Sequence, residues 1–114
     1  IGGTYHQARA LLADPRRRPT AVMCISDEMA MGTWMAAHSL GLRVPEDVSV
    51  TGFDGIPVDG LAPYELTTLF QPATDKGRAA GAAVAAMLEG RVPASVLLTS
   101  TFRPGNTTAP PMAP

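Results

Sequence analysis

Two apolar runs of strand length, Thr20-Ala21-Val22-Met23-Cys24-Ile25 and Val48-Ser49-Val50-Thr51-Gly52-Phe53, stand on either side of a single helix-length amphipathic segment, and few folds accommodate that arrangement. An apolar run without polar alternation suits a strand covered on both faces, as in a parallel sheet. Ser26 and Asp27, which end the first run, are both good helix N-caps, and from Glu28 to Leu40 the residues Met31, Trp34, Met35 and His38 recur at helical intervals. Gly41 then supplies a C-terminal glycine, and Pro45-Glu46-Asp47 turns the chain into the second run. Strand, cap, helix and strand in that order predict a parallel pair joined by a right-handed crossover.

The flanking sequence extends the same alternation. Ala8, Leu11 and Leu12 have helical spacing over about residues 4–14, and Asp14-Pro15 ends that helix because the residue before proline is pushed out of helical angles. Residues 56–64 hold two prolines and a glycine and read as a loop, after which Leu66-Thr67-Thr68-Leu69-Phe70 resumes a strand that Gln71-Pro72 stops. An alanine-rich helix is predicted over 73–89, with Ala79, Ala83, Ala86 and Met87 near one face and Gly90 closing it. The last strand is expected at 96–101 and a turn-rich tail at 104–111. The sum is an α/β fold, an open and mainly parallel sheet with flanking helices. Folds of this kind bind ligands outside the carboxyl ends of their strands, so Ser26, Asp27, Asp54 and Gln71, each just past a predicted strand, are the candidate ligand-binding residues.

Composition and motifs remove several other functions. Nine basic and ten acidic residues in 114 leave a net charge of −1, whereas a chain that tracks a phosphate backbone needs clustered excess cation. The one basic cluster, Arg16-Arg17-Arg18, lies between Pro15 and Pro19 and reads as a solvated loop. No apolar run is long enough to span a membrane, and a single cysteine, Cys24, excludes an internal disulfide and a cysteine-based metal cluster. There is no Gly-x-Ser-x-Gly elbow, no His-x-x-x-His pair, no Gly-x-Gly-x-x-Gly turn and no Gly-Lys-Ser/Thr loop, so neither an enzyme nor a metal, nucleotide or other cofactor is expected. The start at Ile1-Gly2-Gly3-Thr4, without Met and without a signal-peptide pattern, predicts that the chain begins inside a longer one.

The four nominated residues are chemically suited to hydroxyl groups. A carboxylate such as Asp54 accepts two hydroxyl hydrogens at once, Ser26 offers a donor and two lone pairs, and Gln71 offers both functions of an amide. Each has a purely structural alternative. Asp27 or Ser26 caps the helix that follows, and Asp54 sits in a Phe-Asp-Gly turn where an Asx-turn would occupy its side chain. Trp34 in mid-helix reads as core or interface.

The order and wording of these segments resemble the C-terminal half of the lactose/galactose-type repressors over nearly the whole chain. The likeness is carried by Pro19-Thr20-Ala21-Val22 with Ser26-Asp27-Glu28-Met29-Ala30-Met31-Gly32, by the run from Leu40-Gly41-Leu42-Arg43-Val44-Pro45-Glu46-Asp47 through Val48-Ser49-Val50-Thr51-Gly52-Phe53-Asp54, by Leu66-Thr67-Thr68 with Gln71-Pro72 and Gly77, and by Phe102-Arg103 with Thr107-Thr108-Ala109-Pro110. The resemblance implies a periplasmic-binding-protein-like sensing core, truncated here, with residues 1–70 in its C-terminal lobe, 71–102 returning to the N-terminal lobe and 103–114 as a tail. It also implies a cytoplasmic regulator whose small-molecule effector, a sugar or related metabolite, binds between lobes and which contacts DNA only through a head domain outside this chain. Asp54 would hold the effector's hydroxyls or ring nitrogens, Ser26 would stand where the family often has asparagine, and Gln71 would lie at the hinge side of the cleft. Gly55 replaces a frequent second aspartate. A homodimer is expected, with the 73–101 segment making contacts between chains. The alternative is the C-terminal lobe of a periplasmic sugar-binding protein of a transporter, a related fold.

Overall fold

The computed structural model describes residues 1–57 and 63–113. Its elements are α1 (Gly2–Ala13), β1 (Ala21–Met23), α2 (Asp27–Ser39), β2 (Ser49–Thr51), β3 (Thr68–Phe70), α3 (Ala73–Leu88) and β4 (Thr101–Arg103). The chain divides into two compact units, residues 1–70 with 102–114 and residues 71–101.

In the first unit β1 and β2 are parallel, with Ala21 opposite Ser49, Val22 opposite Val50 and Met23 opposite Thr51, joined through α2 as the sequence predicts. Parallel bridges from Thr51 to Thr67 and from Asp54 to Phe70 carry the sheet on toward β3, and β3 pairs with β4. The core lies between the sheet and both helices: Leu12 of α1, Ala30 and Ala37 of α2, and Val44, Val48 and Val50 are buried together, with Val22 and Cys24 packed against them. Because side chains alternate across a strand, Met23 and Ile25 project from the other face, where they are 86% and 81% exposed. The expectation of a strand covered on both faces therefore fails for β1. Both helices of this unit serve one face, and among the described residues nothing seals the other.

Gly41 closes α2 as its position foretells. At φ +73° it adopts the left-handed conformation that a side chain resists. Its N–H bonds the carbonyl of His38 and that of Leu42 bonds Ala37, the paired bonds of a Schellman motif. In the second unit α3 ends through the same bonds, Gly90 N–H to Met87 and Arg91 N–H to Ala86. Residues Val92 to Val96 then run beside the alanine face of α3, bounding a cavity with Ala79, Ala82, Ala83 and Ala86. The strand expected at 96–101 is not formed there. Pairing begins only at Thr101, and Val96 and Leu97 are left 62% and 91% exposed, since β-propensity without a neighbouring strand makes no ladder.

The tail is more than coil. Thr107 is fully buried: its hydroxyl donates to the Val50 carbonyl at 2.7 Å and accepts the Thr67 N–H at 3.0 Å, while the Val50 N–H bonds the Thr107 carbonyl. Asn106 adds bonds to Glu65 and Pro63, and Gly105 passes so close to the Glu65 carbonyl that a Cβ would lie 2.0 Å from its oxygen. The returning chain is thus fastened to β2 and to the start of β3.

The loop before β2 is held by its own charges. Arg43 donates through Nε and Nη2 to the two oxygens of Asp47 at 2.9 and 2.8 Å, and its backbone N–H reaches the same carboxylate at 2.7 Å. These bonds lower the Asp47 pKa to about 2 from an ordinary 3.8. A carboxyl group whose folded pKa is depressed contributes stability above its unfolded pKa and loses it as pH falls through the folded one. Carbon-detected NMR titration is expected to place the Asp47 midpoint near 2, with the loop's contribution fading between pH 4 and pH 2. A midpoint close to 4 would show that the fork is not made in solution.

Candidate functional site

The carboxyl ends of β1 and β2 meet at the first turn of α2, and the sequence there determines how. Ser26 is the N-cap, in extended conformation, with its Oγ accepting the Met29 N–H at 3.1 Å. This bond uses a lone pair and leaves the hydroxyl hydrogen as a donor. Asp27, the first residue of the helix, is fully buried and caps nothing. Its Oδ2 accepts the N–H groups of Gly55 and Ile56 at 2.7 and 2.9 Å, its Oδ1 accepts the Thr68 hydroxyl at 2.6 Å, and its own N–H bonds the Phe53 carbonyl at 2.9 Å.

Those bonds bracket Asp54. The residue before it and the two after it are all tied to Asp27, and the Asp54 N–H bonds the Leu69 carbonyl at 2.9 Å. The half-buried Asp54 is held at φ +123°, a backbone region that residues with a side chain seldom occupy. Such conformations cost of order 1–3 kcal/mol and persist where surrounding bonds over-determine them, a condition most often met at binding and catalytic sites. Here Asp27 supplies the over-determination.

The structure therefore brings Ser26, Asp27 and Asp54 together at one edge. Gln71 lies in the second unit, where its side-chain oxygen accepts from Lys76 Nζ. Sequence reasoning missed Arg103 and Thr68. The Arg103 guanidinium lies 4.5 Å from the Phe70 ring centroid and donates to the Gly55 carbonyl at 3.4 Å, which sets a cation beside the Asp54 turn. Its signal in the sequence is a lone basic residue directly after a run of uncharged ones. A cavity of about 320 Å³ is lined by Asp27, Gly55, Tyr64, Thr68 and Arg103, among others. A larger apolar one, about 570 Å³, opens on the uncovered sheet face between Met23, Ile25, Phe53, Leu69 and Phe102.

None of this is a nucleophilic centre. Burial pushes the Cys24 thiol up, only partly opposed by its 3.4 Å contact with the Thr33 hydroxyl, and a protonated thiol is a poor nucleophile. His38 stacks on Trp34 and His6 meets Tyr5 edge-on. Among the described residues no group of three or more His, Cys, Asp or Glu could hold a metal ion.

An α/β unit with polar groups fixed at its strand ends, which the chain leaves after Phe70 and re-enters at Phe102, has the arrangement in which open α/β folds place their ligands. The profile of the periplasmic binding protein-like domain matches residues 2–108, and the chain belongs to that family, in its LacI/GalR-type regulator branch. It is 45% identical over 76 residues, 67% of this chain, to the HTH-type transcriptional repressor PurR of Salmonella typhi. The chain spans only 22% of that protein's length. A LacI family transcriptional regulator from Arthrobacter, solved in complex with lactose, is 30% identical with a TM-score of 0.78, the match covering 93% of this chain and 40% of that one. The dimeric Lac repressor with an 11-residue C-terminal deletion is 28% identical with a TM-score of 0.84, covering 96% and 40% respectively. These relatives are repressors and regulators by name, not enzymes.

Proposed function

We propose that this chain is part of the effector-sensing core of a DNA-binding transcription regulator, in which a small molecule, a sugar or related metabolite, binds between two lobes and sets operator affinity. The observation that carries the reading is Asp54, a carboxylate at a strand end held in an unfavourable backbone conformation by the buried Asp27. Residues 1–70 belong to the C-terminal lobe and 71–102 to the N-terminal lobe. Ser26 and Asp54 contact the effector, Gln71 flanks the cleft, and Asp27 is a positioning residue because both its oxygens are engaged by the protein. The regulator is cytoplasmic and homodimeric, and its contact with DNA is made by a head domain outside these 114 residues. The repressor names of the relatives favour this over a transporter's sugar-binding lobe.

A ligand can bias two lobe arrangements only by its differential affinity for them. A panel of mono- and disaccharides is therefore expected to include a compound that raises the melting temperature of the full-length regulator and changes its operator affinity together. A compound that stabilises the protein without moving operator affinity would contradict the allosteric reading.

A further inference from the structure

The Asp54 turn stands beside a second charge, and the packing around Gly55 fixes where that charge sits. Gly55, at φ +76°, has no room for a side chain: a Cβ there would lie 2.7 Å from the Phe70 ring and 2.9 Å from the Phe70 Cα. The ring therefore packs flush on the backbone of the turn, and Arg103 lies over the ring with its guanidinium carbon 4.5 Å from the centroid. An aromatic face beneath a guanidinium makes a favourable cation–π contact, which holds the group in place and leaves its edge open.

That edge is little used by the protein. Nη1 reaches the Gly55 carbonyl at 3.4 Å, one donor of the five that a guanidinium carries. Arg103 is exposed, and none of the ion pairs among the described residues includes it. Two acids line the same cavity of about 320 Å³. Asp27 is fully buried with both oxygens bonded to Gly55, Ile56 and Thr68, and Glu65 is exposed at the rim, where water weakens its pull.

The strand-end edge thus offers a carboxylate that accepts, on Asp54, and a cationic fork that donates, on Arg103. A ligand made only of neutral hydroxyls suits the first and leaves the second without a charged partner. From this we infer that Arg103 is a specificity-determining residue, and that the effector carries an anionic group, a carboxylate or a phosphate, on the same small molecule whose hydroxyls meet Asp54. The fork matches either oxyanion through two parallel N–H···O bonds, and charge-assisted bonds of this kind are about twice as strong as neutral ones. The inference rests on the effector reading above and names the ligand class within it.

Calorimetry on the full-length regulator, with probes that differ only in the anionic group, tests this. One set is D-glucose, D-glucuronate and D-glucose 6-phosphate; the other is the same series built on D-galactose. In at least one set an anionic member is expected to bind about tenfold or more tightly than its neutral parent, and which member does so separates a carboxylate ligand from a phosphate one. Arg103→Gln should lower that anionic-to-neutral ratio by about tenfold, while Arg103→Lys, which keeps the charge and loses the fork, should retain part of it. An arginine that only braced the turn would weaken both members of a pair alike and leave the ratio unmoved. Neutral probes that bind as tightly as their anionic partners, or a ratio that Arg103→Gln leaves unchanged, would overturn the role of Arg103 and spare the effector site. So would binding of a neutral saccharide from the thermal panel with none of the anionic probes. Binding of nothing in either panel would remove the effector reading itself, and the inference with it.

Discussion

Asp27→Ala is expected to lower the stability of this chain by roughly 3–5 kcal/mol. The reason lies in what the substitution leaves behind. Three donors, the N–H groups of Gly55 and Ile56 and the hydroxyl of Thr68, converge on a carboxylate that has no exposure to water. Alanine removes the acceptor without admitting solvent freely, so each donor bears its own desolvation cost. Against a total of about 5–15 kcal/mol for a domain, this is a large fraction. Asp27→Asn should cost much less: its carbonyl oxygen can still take the two N–H groups, and its amide can donate to Thr68 Oγ1. Urea unfolding separates the cases. Equal midpoints for the alanine variant and the parent would mean that the strand-end edge is held by something else.

The second large effect is functional. Asp54→Ala in the full-length regulator is expected to abolish the response at effector concentrations that saturate the parent, and to leave operator binding unchanged. A charge-assisted hydrogen bond contributes roughly 1.5–3 kcal/mol, so effector affinity should fall by roughly tenfold to a hundredfold. Operator binding draws on phosphate and base contacts, for which this chain, with a net charge of −1 and its one basic cluster in the Arg16-Arg17-Arg18 loop, has no excess of cations. Asp54→Asn, which keeps the side-chain shape at this positive φ and removes its charge, separates loss of the carboxylate from a relaxed turn. Calorimetry that finds unchanged effector affinity would remove Asp54 from the site.

The elements that depend on local chemistry were legible in the sequence. Helix α2 is bounded by a serine cap and a glycine stop that act within a few residues of themselves, and the parallel β1–β2 pair follows from the length of chain between them. What could not be read are the features made by residues far apart. Ser26 and Asp27 are equally good caps by type, and only the presence of Gly55, Ile56 and Thr68, between 28 and 41 residues away, turns Asp27 into the buried tie and leaves the cap to Ser26. Thr107 looks like part of a loose tail, yet its burial against Val50 and Thr67 depends on chain 40 and 57 residues upstream. The last strand begins later than its side chains suggest for the same reason. Val96 to Leu98 have strand-like side chains, but the partner that β4 needs is β3, which it reaches at Thr101.

The proposed role of the strand-end edge built on Asp27 is to present Asp54 to a small molecule. A crystal structure of the full-length regulator with its effector bound tests this most directly. An Asp54 carboxylate oxygen is expected about 2.5–3.2 Å from a ligand hydroxyl or N–H, with the Asp27 bonds to Gly55, Ile56 and Thr68 unchanged. An effector seated elsewhere, with no polar atom in hydrogen-bond reach of Asp54, would contradict it.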